Sequence, residues 1–254
     1  MARCRLATSR SACSDHTDSR RHGQPGMLST TPRPGLRLVL PAVSEVGEER
    51  GTLRQGWRLY QTIRFMLRWL RRWVRLDASG LEHLPSTGPI LVVANHDSWL
   101  DPLVLVETMM WRGRQLRFLA KSTLWKFPLF AWILDGAAQI PIRRGAGDTA
   151  ALESAIAALD RGEAVGIFPE GTLSRGQNLR ARRGVARLAL SRPEAPIVLA
   201  AVAGGTDLKR FPRRPRVRIE FFSPAGGPAR PNENAAQFAQ RLLDEIRSRV
   251  PRVR

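Results

Sequence analysis

Gly88-Pro89-Ile90-Leu91-Val92-Val93-Ala94-Asn95-His96-Asp97-Ser98-Trp99-Leu100-Asp101-Pro102 decides the fold class. Five apolar residues, Ile90 to Ala94, sit between a Gly-Pro break and a polar stretch, which reads as a buried strand ending in a loop. Asp101-Pro102 then reads as a helix start, because Asp is a favoured N-cap and Pro is favoured at the first helical position. The loop between them carries a histidine with a carboxylate five residues on. On one continuous helix these side chains would lie roughly 140° apart and could not meet, so any pairing needs the loop. Paired, the carboxylate would accept the proton of one ring nitrogen and leave the other free to act as a base. Unpaired, Asp101 only caps a helix. Both readings are open on this stretch alone.

Outward from the strand, the chain alternates. Residues 102–111 read as a helix, 116–120 as a short strand, and 124–134 as an apolar, aromatic segment broken at Pro128. Strands are expected at 139–142, 164–168 and 197–202, with helices at 148–159, 184–190 and 233–250. Val217-Arg218-Ile219-Glu220-Phe221 alternates apolar and charged residues, as a half-exposed edge strand does. The expected architecture is α/β, a mostly parallel sheet covered by helices, preceded by an N-terminal amphipathic helix.

That helix is expected at 51–76. Leu53, Trp57, Tyr60, Ile63, Leu67, Leu70 and Val74 recur at helical spacing, and arginines fill the intervening positions without an acidic residue between them. Such a helix fits the plane of an anionic lipid surface, with Trp69 and Trp73 at headgroup depth; the competing reading is a helix packed on its own domain with a solvated arginine face. Residues 1–50, rich in Ser, Thr, Arg, Pro and Gly, form an expected disordered leader in which Met27 is a second candidate start, and 77–254 form the main domain.

The 254 residues include 41 basic and 22 acidic ones, a net charge of +19, almost all of it from arginine. This favours polyanionic partners: nucleic acid, an anionic membrane, or phosphorylated substrates and acyl carriers. The basic residues form no recognisable nucleic-acid motif, so nucleic-acid binding stands as the competing class and no nucleic-acid partner is expected. Cys4 and Cys13 both fall in the leader, and neither a disulfide framework nor a metal-ligand cluster is in view. With no apolar run long enough to span a bilayer, the expected location is peripheral, at the cytoplasmic face of the cell membrane.

A second polar break follows the strand at 164–168: Phe168-Pro169-Glu170-Gly171-Thr172-Leu173-Ser174-Arg175. Ligands of open α/β sheets bind outside the carboxyl ends of strands, so this loop and that of His96 are placed to share one crevice. Asn95-His96 with Asp101, followed by Phe-Pro-Glu-Gly-Thr, resembles the glycerolipid acyltransferases typified by 1-acylglycerol-3-phosphate acyltransferase. Ala120-Lys121 and the segment Arg182 to Ala189 match further family segments. The family's second motif is altered here: Ala138 stands where Gly is usual, Arg143 where Asp is common, and Arg144 at the phosphate-binding arginine. Leu173 stands where the family often has Arg, and the fourth motif lacks its second Pro.

The resemblance implies acyl transfer without a covalent enzyme intermediate. His96 would be the base and Asp101 its orienting carboxylate, while Arg144, Glu170, Gly171, Thr172 and Arg182 would bind substrate. The acceptor would be a lysophospholipid such as lysophosphatidate, with glycerol 3-phosphate or a lyso-aminolipid as alternatives. The donor co-substrate would be acyl-CoA or an acyl carrier protein, with no further cofactor or metal. A catalytically silent lipid-binding relative is a third possibility, which the intact His96 and Asp101 oppose.

Overall fold

A computed structural model describes residues 72–143, 149–206 and 214–250. Seven strands form one sheet in the order β1-β7-β6-β2-β5-β3-β4. In chain order these are β1 (Arg75–Ser79), β2 (Ile90–Ala94), β3 (Leu116–Lys121), β4 (Ile140–Ile142), β5 (Ala164–Ile167), β6 (Ile197–Ala203) and β7 (Arg216–Phe222). Among the described residues five α-helices accompany them: α1 (Asp101–Trp111), α2 (Pro128–Gly136), α3 (Thr149–Asp160), α4 (Gly184–Ser191) and α5 (Ala235–Ser248). Every strand pairing is parallel except β6 with β7. The sheet is therefore mostly parallel and mixed, as expected from the alternating elements.

Side chains alternate across each strand, and that period divides the interior in two. Ile90, Val92 and Ala94 of β2 face one core with Val104, Leu105 and Met109 of α1, against which Ile133 of α2 also packs. Leu91 and Val93 face the other, closed by Ala155 and Leu159 of α3, Val185 and Leu188 of α4, and Phe238, Leu242 and Ile246 of α5. β2 is buried along its whole length because helices cover both faces of the sheet there. α5 starts with a capping box: the Asn234 side chain accepts from the backbone of Ala236 and Gln237, and the Gln237 side chain accepts from the Asn234 backbone.

Three expectations change. Arg75 and Leu76, assigned to the N-terminal helix, begin β1 and pair with Arg216 and Val217. The rest of that helix, apart from residues 72–74, lies outside the described residues, as do the 1–50 leader and Asp148. β7 is an inner strand, held between β1 and β6. Its alternation arises because Arg216 and Arg218 point to an uncovered face while Val217, Ile219 and Phe221 point into the core; alternation reports a wet face, not an edge. Finally, Leu100 rather than Asp101 is the N-cap of α1, and no side chain caps that end. Asp101 is turned to another task.

Candidate active site

β2 and β5 are adjacent and parallel, so the loops that leave their carboxyl ends emerge side by side. The chain ties them directly. The His96 backbone N–H donates to Glu170 Oε2 at 2.9 Å, and the Ser174 N–H donates to the His96 carbonyl at 2.7 Å. The Ser174 hydroxyl also bonds the Asp97 carboxylate. On the other flank, Asn95 extends the pairing of β2 with β6: its Nδ2 donates to the Val202 carbonyl at 2.8 Å and its Oδ1 accepts from the Val202 N–H at 2.8 Å. His96 thus sits on a loop fixed from both sides.

Its ring is fixed too. His96 stacks on Phe168 with centroids 4.1 Å apart, and Phe168 in turn stacks on Phe118 at 4.9 Å. His96 Nδ1 lies 3.3 Å from Asp101 Oδ2, an oxygen that also accepts the Ser98 N–H at 2.7 Å. The side chain of Asp101 is 2% exposed and that of His96 11%, so the carboxylate is the inner member and the ring the outer one. With Nδ1 donating to Asp101, Nε2 carries the lone pair. Burial raises the Asp101 pKa, opposed by its bonds with His96 and Ser98. Gly205 closes the floor: a Cβ there would lie 2.7 Å from Asp101 Oδ1 and 2.8 Å from the Ser98 Cβ. Only a residue without a side chain fits.

Glu170 is buried. Besides the His96 N–H, it meets Arg247 of α5 at 3.5 Å, and Arg247 donates to the Leu179 carbonyl at 2.9 Å. Burial pushes the Glu170 pKa up, while Arg247 and the His96 N–H pull it down. Its carboxylate is therefore engaged in holding the two loops together. Gly171 has φ +66°, and a Cβ there would meet Arg182 at 2.6 Å. Arg182 is seated in that gap, its N–H donating to the Pro169 carbonyl at 2.7 Å and its Nε to the Glu170 carbonyl at 3.3 Å. Thr172 is half-buried in the same turn. Arg144 lies outside the described residues.

Beyond Phe168 opens a cavity of about 450 Å³. Leu119, Ile142, Leu152, Ile167 and Val185 form an apolar floor, and Arg143, Arg182, Arg183 and Arg187 stand around it. Its size is that of a small-molecule binding site. Phe168 is the shared wall between the cavity and His96. Among the described residues no group of three His, Cys, Asp or Glu side chains converges as a metal site would require. Arg247 and the stacking of Phe168 carry no local signal in the sequence, since their partners are distant in the chain.

The fold and the dyad together define a class: an α/β protein with a histidine held by a buried carboxylate at the carboxyl edge of its sheet. Comparison supplies the family. The family model described as Acyltransferase matches residues 75–202, half of the chain, and the protein belongs to that family. It is 39% identical over 116 residues to the lyso-ornithine lipid O-acyltransferase of Pseudomonas aeruginosa, covering 45% of this chain and 42% of that one. It is 27% identical over 184 residues to 1-acyl-sn-glycerol-3-phosphate acyltransferase LPAT1, chloroplastic, of Arabidopsis thaliana, covering 69% and 48%. The matches thus span about half the length of these relatives. The crystal structure of the 1-acyl-sn-glycerophosphate acyltransferase of Thermotoga maritima shares the fold, with a TM-score of 0.57 and 21% identity over 80% of this chain and 81% of that one.

Proposed function

We propose that the protein transfers a fatty acyl group from an acyl thioester, acyl-CoA or acyl carrier protein, to the free hydroxyl of lysophosphatidate. The observation that carries this reading is the contact of His96 with buried Asp101 beside an arginine-rimmed apolar cavity. His96 Nε2 takes the hydroxyl proton, and Asp101 holds the opposite nitrogen and offsets the charge that develops on the ring. The alkoxide attacks the thioester carbonyl, the C–O bond forms, the C–S bond breaks, and the proton on Nε2 passes to the departing thiolate. Glu170 positions the His96 loop through its backbone bond.

The arginines of the cavity suit the acceptor phosphate, because a guanidinium can donate two parallel bonds to phosphate oxygens. Arg143 and Arg182 are the described candidates, joined by Arg144. The excess of positive charge and the arginine-rich stretch at 52–71 support work at an anionic membrane, at its cytoplasmic face. Among the described residues no helix is long and apolar enough to cross a membrane.

A second acceptor has specific support. The relative at 39% identity is named for a lyso-ornithine lipid, and a lyso-aminolipid acceptor would use the same His96 chemistry. The test is acyl transfer by the purified full chain to a panel of acceptors, lysophosphatidate, glycerol 3-phosphate and a lyso-ornithine lipid among them. Lysophosphatidate is expected to give the highest kcat/KM. His96→Ala is expected to abolish transfer to every acceptor while the melting temperature holds. Substantial transfer by that variant sinks the mechanism.

A further inference from the structure

Residues 124–134 are only partly used by the core and not at all by the dyad. Ile133 packs inward, and within α2 Gly136 alone is buried. Phe127, Leu129, Phe130 and Trp132 are each more than half exposed. Four large apolar side chains on a nine-residue helix and the turn before it form a contiguous patch that water solvates poorly, the kind of surface that marks an interaction site.

Charge and position identify the occupant. Between Leu116 and Gly136 the charged residues are Arg117, Lys121, Lys126 and Asp135; Asp135 accepts the Trp125 Nε1–H at 2.6 Å, and both lysines are exposed, which leaves the segment net basic. A basic rim around aromatic and aliphatic side chains complements an anionic phospholipid surface. At nine residues α2 is about 14 Å long, too short to cross a hydrocarbon core of about 30 Å but suited to lying in its plane. β3 runs parallel beside β5, as β2 does, so the chain enters α2 from the sheet edge at which His96 stands. Trp99, in the loop between His96 and Asp101, is also more than half exposed there.

We propose that α2 and the turn at Phe127 are a lipid-insertion face: Phe127, Leu129, Phe130 and Trp132 enter the outer acyl region of an anionic leaflet while Lys121 and Lys126 meet its headgroups. This rests on the proposed function for the source of the acceptor, which then reaches His96 from the leaflet without crossing water; the docking itself is a separate measurable property.

The experiment uses the full chain and sedimenting vesicles of equal parts phosphatidylglycerol and phosphatidylcholine. The triple variant Leu129→Gln, Phe130→Gln, Trp132→Gln is expected to lower the partition coefficient on the order of a hundredfold. Its melting temperature should hold, because these side chains contribute little to the core. Lys121→Glu with Lys126→Glu should weaken binding several-fold at low salt and less at high salt, as screened surface charge does. Transfer to lysophosphatidate in vesicles should show a raised KM in the triple variant, and transfer to a monodisperse short-chain lysophosphatidate should be unchanged.

Unchanged partitioning of the triple variant overturns the proposal. So does vesicle binding that follows Arg64→Ala, Arg68→Ala and Arg71→Ala instead, or a wild-type dimer that the triple variant breaks without any loss of vesicle binding. A wild type that binds vesicles through α2 but acylates no lysophosphatidate would refute the acceptor reading and leave the docking face standing.

Discussion

Asp101→Asn exchanges one carboxylate oxygen for an amide nitrogen and keeps the shape of the side chain. If the amide oxygen takes the Oδ2 position, it still accepts from Ser98 and from His96 Nδ1, but the ring loses its counter-charge at 3.3 Å. If the amide nitrogen takes that position, it confronts Nδ1 and drives the ring proton onto Nε2, the nitrogen that must be free. For the milder orientation, a full charge on the ring at this distance is worth about 5 kcal/mol at an effective dielectric of about 20. A proton half transferred in the transition state develops about half of that. At 1.36 kcal/mol per decade the expected loss of kcat lies between about seventyfold and about five-thousandfold, within the range of general-base catalysis.

Stability separates this from damage to the fold. Burial raises the Asp101 pKa in the folded state. Such a group stabilises the fold most below its unfolded pKa and loses that contribution as pH rises through the folded value. Above that raised folded pKa the wild type carries a desolvated carboxylate that the amide replaces, so Asp101→Asn should melt no lower than wild type there. Its melting temperature should also lose the decline that the wild type shows as pH rises above the ordinary carboxylate range. Thiol release from acyl-CoA with lysophosphatidate gives kcat, and scanning calorimetry across pH gives stability. A variant with kcat within about threefold of wild type refutes the dyad, whatever its melting behaviour.

Gly205→Ala places a methyl against Asp101 and Ser98; displacing the carboxylate by a fraction of an ångström should lower kcat about tenfold with KM nearly unchanged, read by steady-state kinetics. Glu170→Ala leaves the buried His96 N–H without its acceptor and should cost about 1–3 kcal/mol of stability, read by urea denaturation, whereas Glu170→Gln keeps an acceptor and should recover most of it. Arg143→Ala should raise the acceptor KM about ten- to a hundredfold with kcat little changed, the scale of one charge-assisted hydrogen bond; an unchanged KM would take Arg143 out of the phosphate site.

The sequence alone determined the alternation of strands and helices, because periods of 2 and 3.6 are local and each element carries its own apolar face. It also determined the family, because Asn95-His96, Asp101 and Phe168 to Thr172 lie in short runs whose order and spacing can be compared without coordinates. Tertiary structure decided what those runs do to one another. Arg75 and Leu76 continue a helical arginine pattern, yet they pair with β7, and that pairing turns β7 from an edge into an inner strand. Asp101 has the local signature of a cap, yet it accepts from Ser98 and His96 in a pocket whose floor is Gly205, more than a hundred residues away. Arg247 reaches Glu170 from the C-terminal helix, and Glu170 reaches His96. Strand order and converging side chains depend on contacts between residues distant in the chain, which no local periodicity encodes.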